Sequence, residues 1–252
     1  MARDREVGVI RSCVLAVALV AGLALPAQAD NKLALTGSAT MTTDYMFRSI
    51  SNSSNSPAVQ PEFDLTYGIF YAYIWGSNVS SAINPDGIEI DYGAGITPKW
   101  AGIDFNIAGL YYTYPGRAFG RNGINYFELR TSASKTFNKL TLSIGNWWSP
   151  DYAQTGLQSD ALEFGAAYAF SGKLWNFFSP SISAVVGRQW YENPIPDYTY
   201  WNAGLTLGFL DHWSADIRYY DTADYSKTDC FNLIGARNAC DARAVGTIKA
   251  TF

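Results

Sequence analysis

Acidic side chains recur along this chain one place away from apolar ones: Asp44 beside Tyr45, Glu62 beside Phe63, Asp91 beside Ile90, Glu128 beside Phe127 and Glu163 beside Phe164. The set continues with Asp64, Glu89, Asp104 and Asp216, and four bases join it: Arg48, Arg130, Arg218 and Lys249. Carboxylates arranged around a water-filled path raise the local cation concentration and repel anions. The same carboxylates matched to arginines form a salt-bridged filling instead. Asp44 and Glu62 resemble an acid/base pair, yet no spacing singles them out from the other acids.

Nucleophilic catalysis has weaker support. The single histidine, His212, stands in "LDHWSAD" between Asp211 and Trp213, two places before Ser214. A working triad is recognised by converging geometry, with nucleophile beside base and base beside its orienting group, and neighbours on one turn do not converge in that way. His212 reads as an exposed turn residue. Metal-ligand spacings and phosphate-cradling glycine patterns are absent from the sequence, so the expectation is a protein that is not an enzyme and uses no cofactor or metal. Cys230 and Cys240 lie ten residues apart in the longest connection. In a secreted chain that spacing predicts a disulfide, whose loop either covers a mouth or resists proteolysis.

The elements that must position these residues have a period of two. In 33–47, Leu33, Leu35, Ala39, Met41, Tyr45 and Phe47 share one face, and Thr36, Ser38, Thr40, Thr42, Asp44 and Arg48 share the other. Further strands are expected over 58–67, 69–79, 88–98, 101–114, 124–136, 139–149, 160–170, 180–190, 198–209, 213–221 and 241–252. Short connections such as "TFNKLT" alternate with long ones such as "RSISNSSNSP" and "TADYSKTDCFNLIGARNACD". Both ends of the strand series fall on the short-turn side. This is the layout of an all-β, antiparallel, up-and-down transmembrane barrel of about twelve strands, closed by pairing of the first and last, with short periplasmic turns and longer external loops. Charges on the lipid side at mid-depth cost roughly 2–4 kcal/mol for Arg or Lys, which assigns the polar face to the lumen.

Composition agrees: 17 Tyr, 14 Phe, 8 Trp and 22 Gly accompany one His. All eight tryptophans fall near expected strand ends: Trp75, Trp147, Trp148, Trp190 and Trp201 toward the long loops, and Trp100, Trp175 and Trp213 toward the short turns. Two such belts suit the membrane interfaces. Terminal Phe252, closing the alternating "AVGTIKATF", is expected to be a lipid-facing ring and part of the signal read by the barrel assembly machinery.

At the other end, Arg3, Arg5 and Arg11 precede an apolar run from Cys13 to Leu25 and a small-x-small Ala27-Gln28-Ala29. This pattern predicts a signal peptide over 1–29 and a barrel over 30–252, located in the bacterial outer membrane among its lipid and lipopolysaccharide. Cys13 stands at the start of the apolar run, whereas a lipid-attachment cysteine follows it. The net charge of −4 argues against nucleic acid as a partner.

The segments "TGSATMTTDYMFRSISNSSNSPAVQPEFDLTY", "GIFYAYIWGSNV" and "LYYTYPG" resemble the TorF-type porins, a family of proteobacterial secreted proteins of about this length, long of unknown function. The resemblance covers essentially the whole mature chain, and D-Y-x-F-R and W-G-S-N are its most specific parts. It implies an outer-membrane barrel with a pore role and supplies no substrate. Family members usually carry Gly after the Arg of the first motif, where this chain has Ser49.

Two functions follow from these readings. One is a narrow porin for passive diffusion of small polar or cationic solutes. The other is a closed barrel whose external loops, 48–57 and 221–241, engage a partner or the cell surface.

Overall fold

Apolar and polar side chains alternate through twelve long strands of the computed structural model, which describes residues 32–116 and 123–252. The signal peptide expected over 1–29 lies outside the described residues. The strands are β1 (Leu33–Thr42), β2 (Ala58–Tyr67), β3 (Phe70–Asn78), β4 (Ile88–Ile96), β5 (Ile103–Thr113), β6 (Tyr126–Phe137), β7 (Leu140–Ser149), β8 (Ser159–Ala169), β9 (Ser179–Tyr191), β10 (Tyr198–Phe209), β11 (Trp213–Ala223) and β12 (Arg243–Thr251). Each pairs antiparallel with its sequence neighbours. The ring closes between β1 and β12, where Ser38 faces Thr251 and Thr42 faces Thr247. Among the described residues every long strand is paired on both sides, the condition for a sheet to stand in lipid.

Turn chemistry explains the tight ends. Tyr67 pairs with Phe70 across Gly68-Ile69, and Phe137 with Leu140 across Asn138-Lys139. Gly68 (φ 59) and Asn138 (φ 59) supply the left-handed backbone that such two-residue hairpins require.

The outer surface is apolar. Leu33, Leu35 and Met41 are 68%, 72% and 66% exposed, and Phe63, Phe164, Ile182, Ile217 and Ile248 are exposed on the other strands. A contiguous apolar band of this kind is covered by hydrocarbon. Trp100, Trp175 and Trp213 ring one rim, and Trp190 and Trp201 the other. Trp75 and Trp147 correct the expected belts, because both point into the barrel. Trp147 and Trp148 are consecutive in one strand, so the pleat sends them to opposite faces. Trp147 pairs with Arg130 on the inside and Trp148 with Leu129 on the outside.

The larger departure concerns the first strand. β1 stops at Thr42, and the following segment folds into the lumen instead of continuing to residue 47. There Met46–Phe47 and Ile50–Ser51 form a small hairpin. Tyr45 is buried and Phe47 half-buried, so neither ring faces lipid. The cause is Asp44. Its carboxylate accepts from Ser51 Oγ at 2.6 Å, Ser53 Oγ at 2.7 Å and Arg243 Nη1 at 2.9 Å, drawing the serine-rich segment around one buried charge. Only 54–57, at the end of the segment expected as an external loop, remain exposed.

Opposite it, the connection between β11 and β12 carries helix α1 (Lys227–Ile234). Ser226 and Asp229 form a reciprocal capping box at its start, and Gly235 (φ 77) ends it in the left-handed conformation. Cys230 and Cys240 are disulfide-bonded, with Cα atoms 6.0 Å apart. Both pack with Ile50, Tyr198 and Tyr200, so the external loop meets the inward hairpin at the mouth.

Candidate functional site

The tip of the inward hairpin reaches across the lumen. Arg48 (φ 47) and Ser49 (φ 62) occupy a two-residue turn between Phe47 and Ile50, and both have positive φ. This geometry aims the Arg48 side chain away from β1 toward the far wall. Its Nη1 and Nη2 donate to the two carboxylate oxygens of Glu128 at 2.9 and 2.8 Å, and Nη1 also donates to Gln189 Oε1 at 2.9 Å. The guanidinium lies 4.7 Å from the Phe47 ring centre and 5.9 Å from that of Trp147. Glu128 accepts a further bond from Tyr112 Oη at 2.9 Å. The pair is almost fully buried, with side chains 5% and 0% exposed. A fork-to-fork contact with both carboxylate oxygens engaged is the geometry in which a buried ion pair recovers its desolvation cost. Ser49 extends the bridge by donating to the Trp201 carbonyl at 2.9 Å, so the hairpin touches β6, β9 and β10.

Two cavities lie against this tip, and Phe47 lines both. The inner one, of about 540 Å³, is lined by Glu62, Asp64, Asp91 and Arg130 among Tyr71, Tyr73 and Trp75. Acids outnumber the base there, and Arg130 rests 5.4 Å from the Trp147 ring centre. Asp91 Oδ1 has no hydrogen-bond partner among the described residues. The outer cavity, of about 240 Å³, is lined by Glu89 with Tyr114, Tyr126, Tyr152 and Tyr198, and by Leu233 and Ile234 of α1. Aromatic rings continue around this level: Tyr112 stacks on Tyr126 at 4.5 Å, and Tyr152 stands 5.0 Å from both Tyr126 and Tyr191. Burial pushes the Tyr152 hydroxyl, in the loop beyond β7, above the usual tyrosine range, so it stays protonated.

The remaining charged residues of the inner face form separate groups. Asp216 accepts from Thr206 at 2.6 Å and from Arg218, which also donates to Asn202 and Ser183 at 2.8 Å. Tyr200 donates to Glu163 at 2.7 Å. Asp104 pairs with Lys99 at 2.8 Å at the exposed short-turn rim, and Lys249 stands in β12 opposite Thr40 and Ser214. Asp44 belongs to the hairpin base through Arg243. Asp211 and His212 sit at the short turn before β11 and Ser214 is the second residue of that strand; none of the three lines either cavity. Among the described residues there is no group of three or more His, Cys, Asp or Glu side chains placed to hold a metal.

Sequence reasoning missed three partners. Gln189 and Tyr112 alternate with Trp190 and Tyr111, so their inward direction was available from the pleat. Their meeting with Arg48 was not, because it depends on a hairpin that leaves the wall. Arg243, placed just after the expected loop, gave no local sign of pairing with Asp44.

The barrel is similar to solved porins. It superimposes on the KdgM porin with a TM-score of 0.56 at 7% identity, covering 86% of this chain and 99% of that one. The KdgM porin in complex with disordered oligogalacturonate gives a TM-score of 0.55 at 7% identity, with 86% and 98% covered. At such identity the likeness establishes the fold. No curated protein matches the chain by sequence. A family model described as a bacterial protein of unknown function (Gcw_chp) matches residues 26–252, and the chain belongs to that family.

Proposed function

We propose that this protein is an outer-membrane channel for passive diffusion of small polar or cationic solutes, narrowed at mid-lumen by the Phe47–Arg48 hairpin tip. The observation that carries this reading is the inner cavity, where Glu62, Asp64 and Asp91 face one Arg130 across open space. Low-dielectric walls focus their field on whatever enters. Glu128, Asp44 and Asp216 are matched by Arg48, Arg243 and Arg218 and add little to it. The D-Y-x-F-R and W-G-S-N segments support the narrower resemblance to TorF-type porins. Oligogalacturonate, present in one of the similar porin structures, is a polyanion. The acids lining this lumen argue for a different solute.

In this reading residues 1–29 direct secretion, Phe252 contributes to recognition by the barrel assembly machinery, and the protein performs no catalysis. The buried Arg48–Glu128 bridge favours a second reading, a barrel closed at rest. Current through purified protein in planar bilayers separates the two: a channel gives unitary steps, and a permanently closed barrel gives none.

A further inference from the structure

Glu89 stands on the inner face of β4, 1% exposed, and lines the outer cavity. Tyr114 Oη donates to its Oε1 at 3.1 Å and the Tyr45 hydroxyl lies beside the same carboxylate, while Oε2 makes no hydrogen bond of ordinary length among the described residues. Such an oxygen in an aromatic chamber leaves a carboxylate half-satisfied, a condition that a donor carrying positive charge relieves. The surrounding walls suit the same visitor. Tyr126 and Tyr152 present ring faces and edges beside Glu89, and aromatic faces attract ammonium groups. Leu233 and Ile234 of α1 add apolar surface from above. At about 240 Å³ the chamber is smaller than the roughly 300 Å³ at which pockets for drug-sized ligands begin.

We propose that the outer cavity binds a small protonated primary amine, with its N–H groups directed at Glu89 Oε2 and its short alkyl body against the tyrosine rings. A hard metal ion such as Ca²⁺ takes six to eight oxygen ligands, and this lining supplies one carboxylate among phenols and hydrocarbon. A neutral sugar would leave the carboxylate charge uncompensated. The proposal deepens the channel reading by naming a solute class and rests on it for transport alone, since binding is measurable in a barrel that passes no current.

The test is calorimetric titration of the purified full-length barrel in detergent with n-butylammonium chloride. Saturable binding is expected, weakened roughly tenfold or more by Glu89→Gln, which removes a charge-assisted hydrogen bond and keeps the side chain's shape. Asp104→Asn, the same kind of charge loss at the exposed short-turn rim and outside both cavity linings, should leave binding near the wild-type value. Tetramethylammonium, which has no N–H to donate, should bind more weakly than n-butylammonium. Tyr152→Leu, in the loop beyond β7, removes a ring without touching the wall and should also weaken binding if Glu89→Gln fails to assemble. Absence of saturable wild-type binding overturns the site, as does equal weakening by Glu89→Gln and Asp104→Asn, or stronger binding of D-glucose than of the amine. Conductance without amine binding removes this site and keeps the channel. Amine binding without conductance keeps the site and removes the channel.

Discussion

Arg48 and Glu128, 80 residues apart in sequence, meet through two hydrogen bonds of 2.9 and 2.8 Å in the middle of the barrel, where neither side chain touches bulk water. Removing one partner of such a pair leaves the other charge buried alone, at a cost of about 3–5 kcal/mol. Arg48→Ala is therefore expected to lower the unfolding temperature and, by withdrawing the hairpin tip, to enlarge the unitary conductance. The paired change Arg48→Met with Glu128→Gln should recover most of the stability while keeping the larger current. Bilayer recordings and thermal unfolding followed by heat-modifiable gel mobility check both. An unchanged conductance in Arg48→Ala would show that the tip does not lie in the solute path.

Ser49 holds φ 62, a conformation that costs a non-glycine residue roughly 1–2 kcal/mol. Its hydroxyl offsets that cost by donating to the Trp201 carbonyl at 2.9 Å, a bond contributing about 0.5–1.5 kcal/mol. Ser49→Gly relieves the backbone and loses the bond, so its unfolding temperature should stay close to wild type. Ser49→Val keeps the strain, loses the bond and adds bulk at a buried place, and should be clearly destabilised. A marked loss in Ser49→Gly would mean that the Trp201 contact, and not the turn, holds the tip.

The wall of this barrel was legible because alternation is a local property. Leu33, Leu35 and Met41 against Thr40 and Thr42 set the faces of β1, and the same rule gave all twelve strands and the β1–β12 closure. The interior depended on contacts that no local pattern carries. "RSISNSSNSP" reads as a water-exposed loop because serine and asparagine suit water. It enters the lumen because Asp44 binds Ser51, Ser53 and Arg243 at once. Arg48 reads as one more strand residue on the polar face, and its bonds to Glu128 and Gln189 exist only because the chain turns inward. Trp147 departs from the belt for a simpler reason: nearness to a strand end suggests an interface ring, while the parity of the pleat turns it inward beside Arg130.

The Cys230–Cys240 bond closes a loop whose helix roofs the outer cavity through Leu233 and Ile234. By chain-entropy estimates a loop of about this size is stabilised by roughly 3 kcal/mol. Cys230→Ala with Cys240→Ala should speed protease cleavage within 224–242 while the barrel itself keeps its heat-modifiable mobility. Cleavage at the wild-type rate would show that packing against Tyr198 and Ile50 alone holds the loop.

Phe252 exchanges backbone hydrogen bonds with Gly37 at 2.8 and 2.9 Å, and its ring covers the place where a Cβ on Gly37 would stand, 2.6 Å from Cε2. Deleting Phe252 is expected to reduce the amount of assembled protein in the outer membrane, and Gly37→Val to produce a milder defect by displacing the ring. Quantitative immunoblotting of heat-modifiable protein reads both. Assembly at the wild-type level in the deletion would leave the seam between β1 and β12 as the only role for this residue.

The central claim is that Glu62, Asp64 and Asp91 face the solute path and favour cations. Near physiological salt their field reaches about 8–10 Å, enough to span a narrow lumen and short enough to weaken as salt rises. The direct measurement is the reversal potential across a potassium chloride gradient in planar bilayers, for wild type and for the combined variant Glu62→Gln, Asp64→Asn, Asp91→Asn. The expected result is a cation-selective potential in wild type that shrinks with ionic strength and moves toward zero or anion preference in the variant, where Arg130 remains. Equal reversal potentials in two conducting proteins would contradict the account, as would the absence of any current in wild type and in Arg48→Ala.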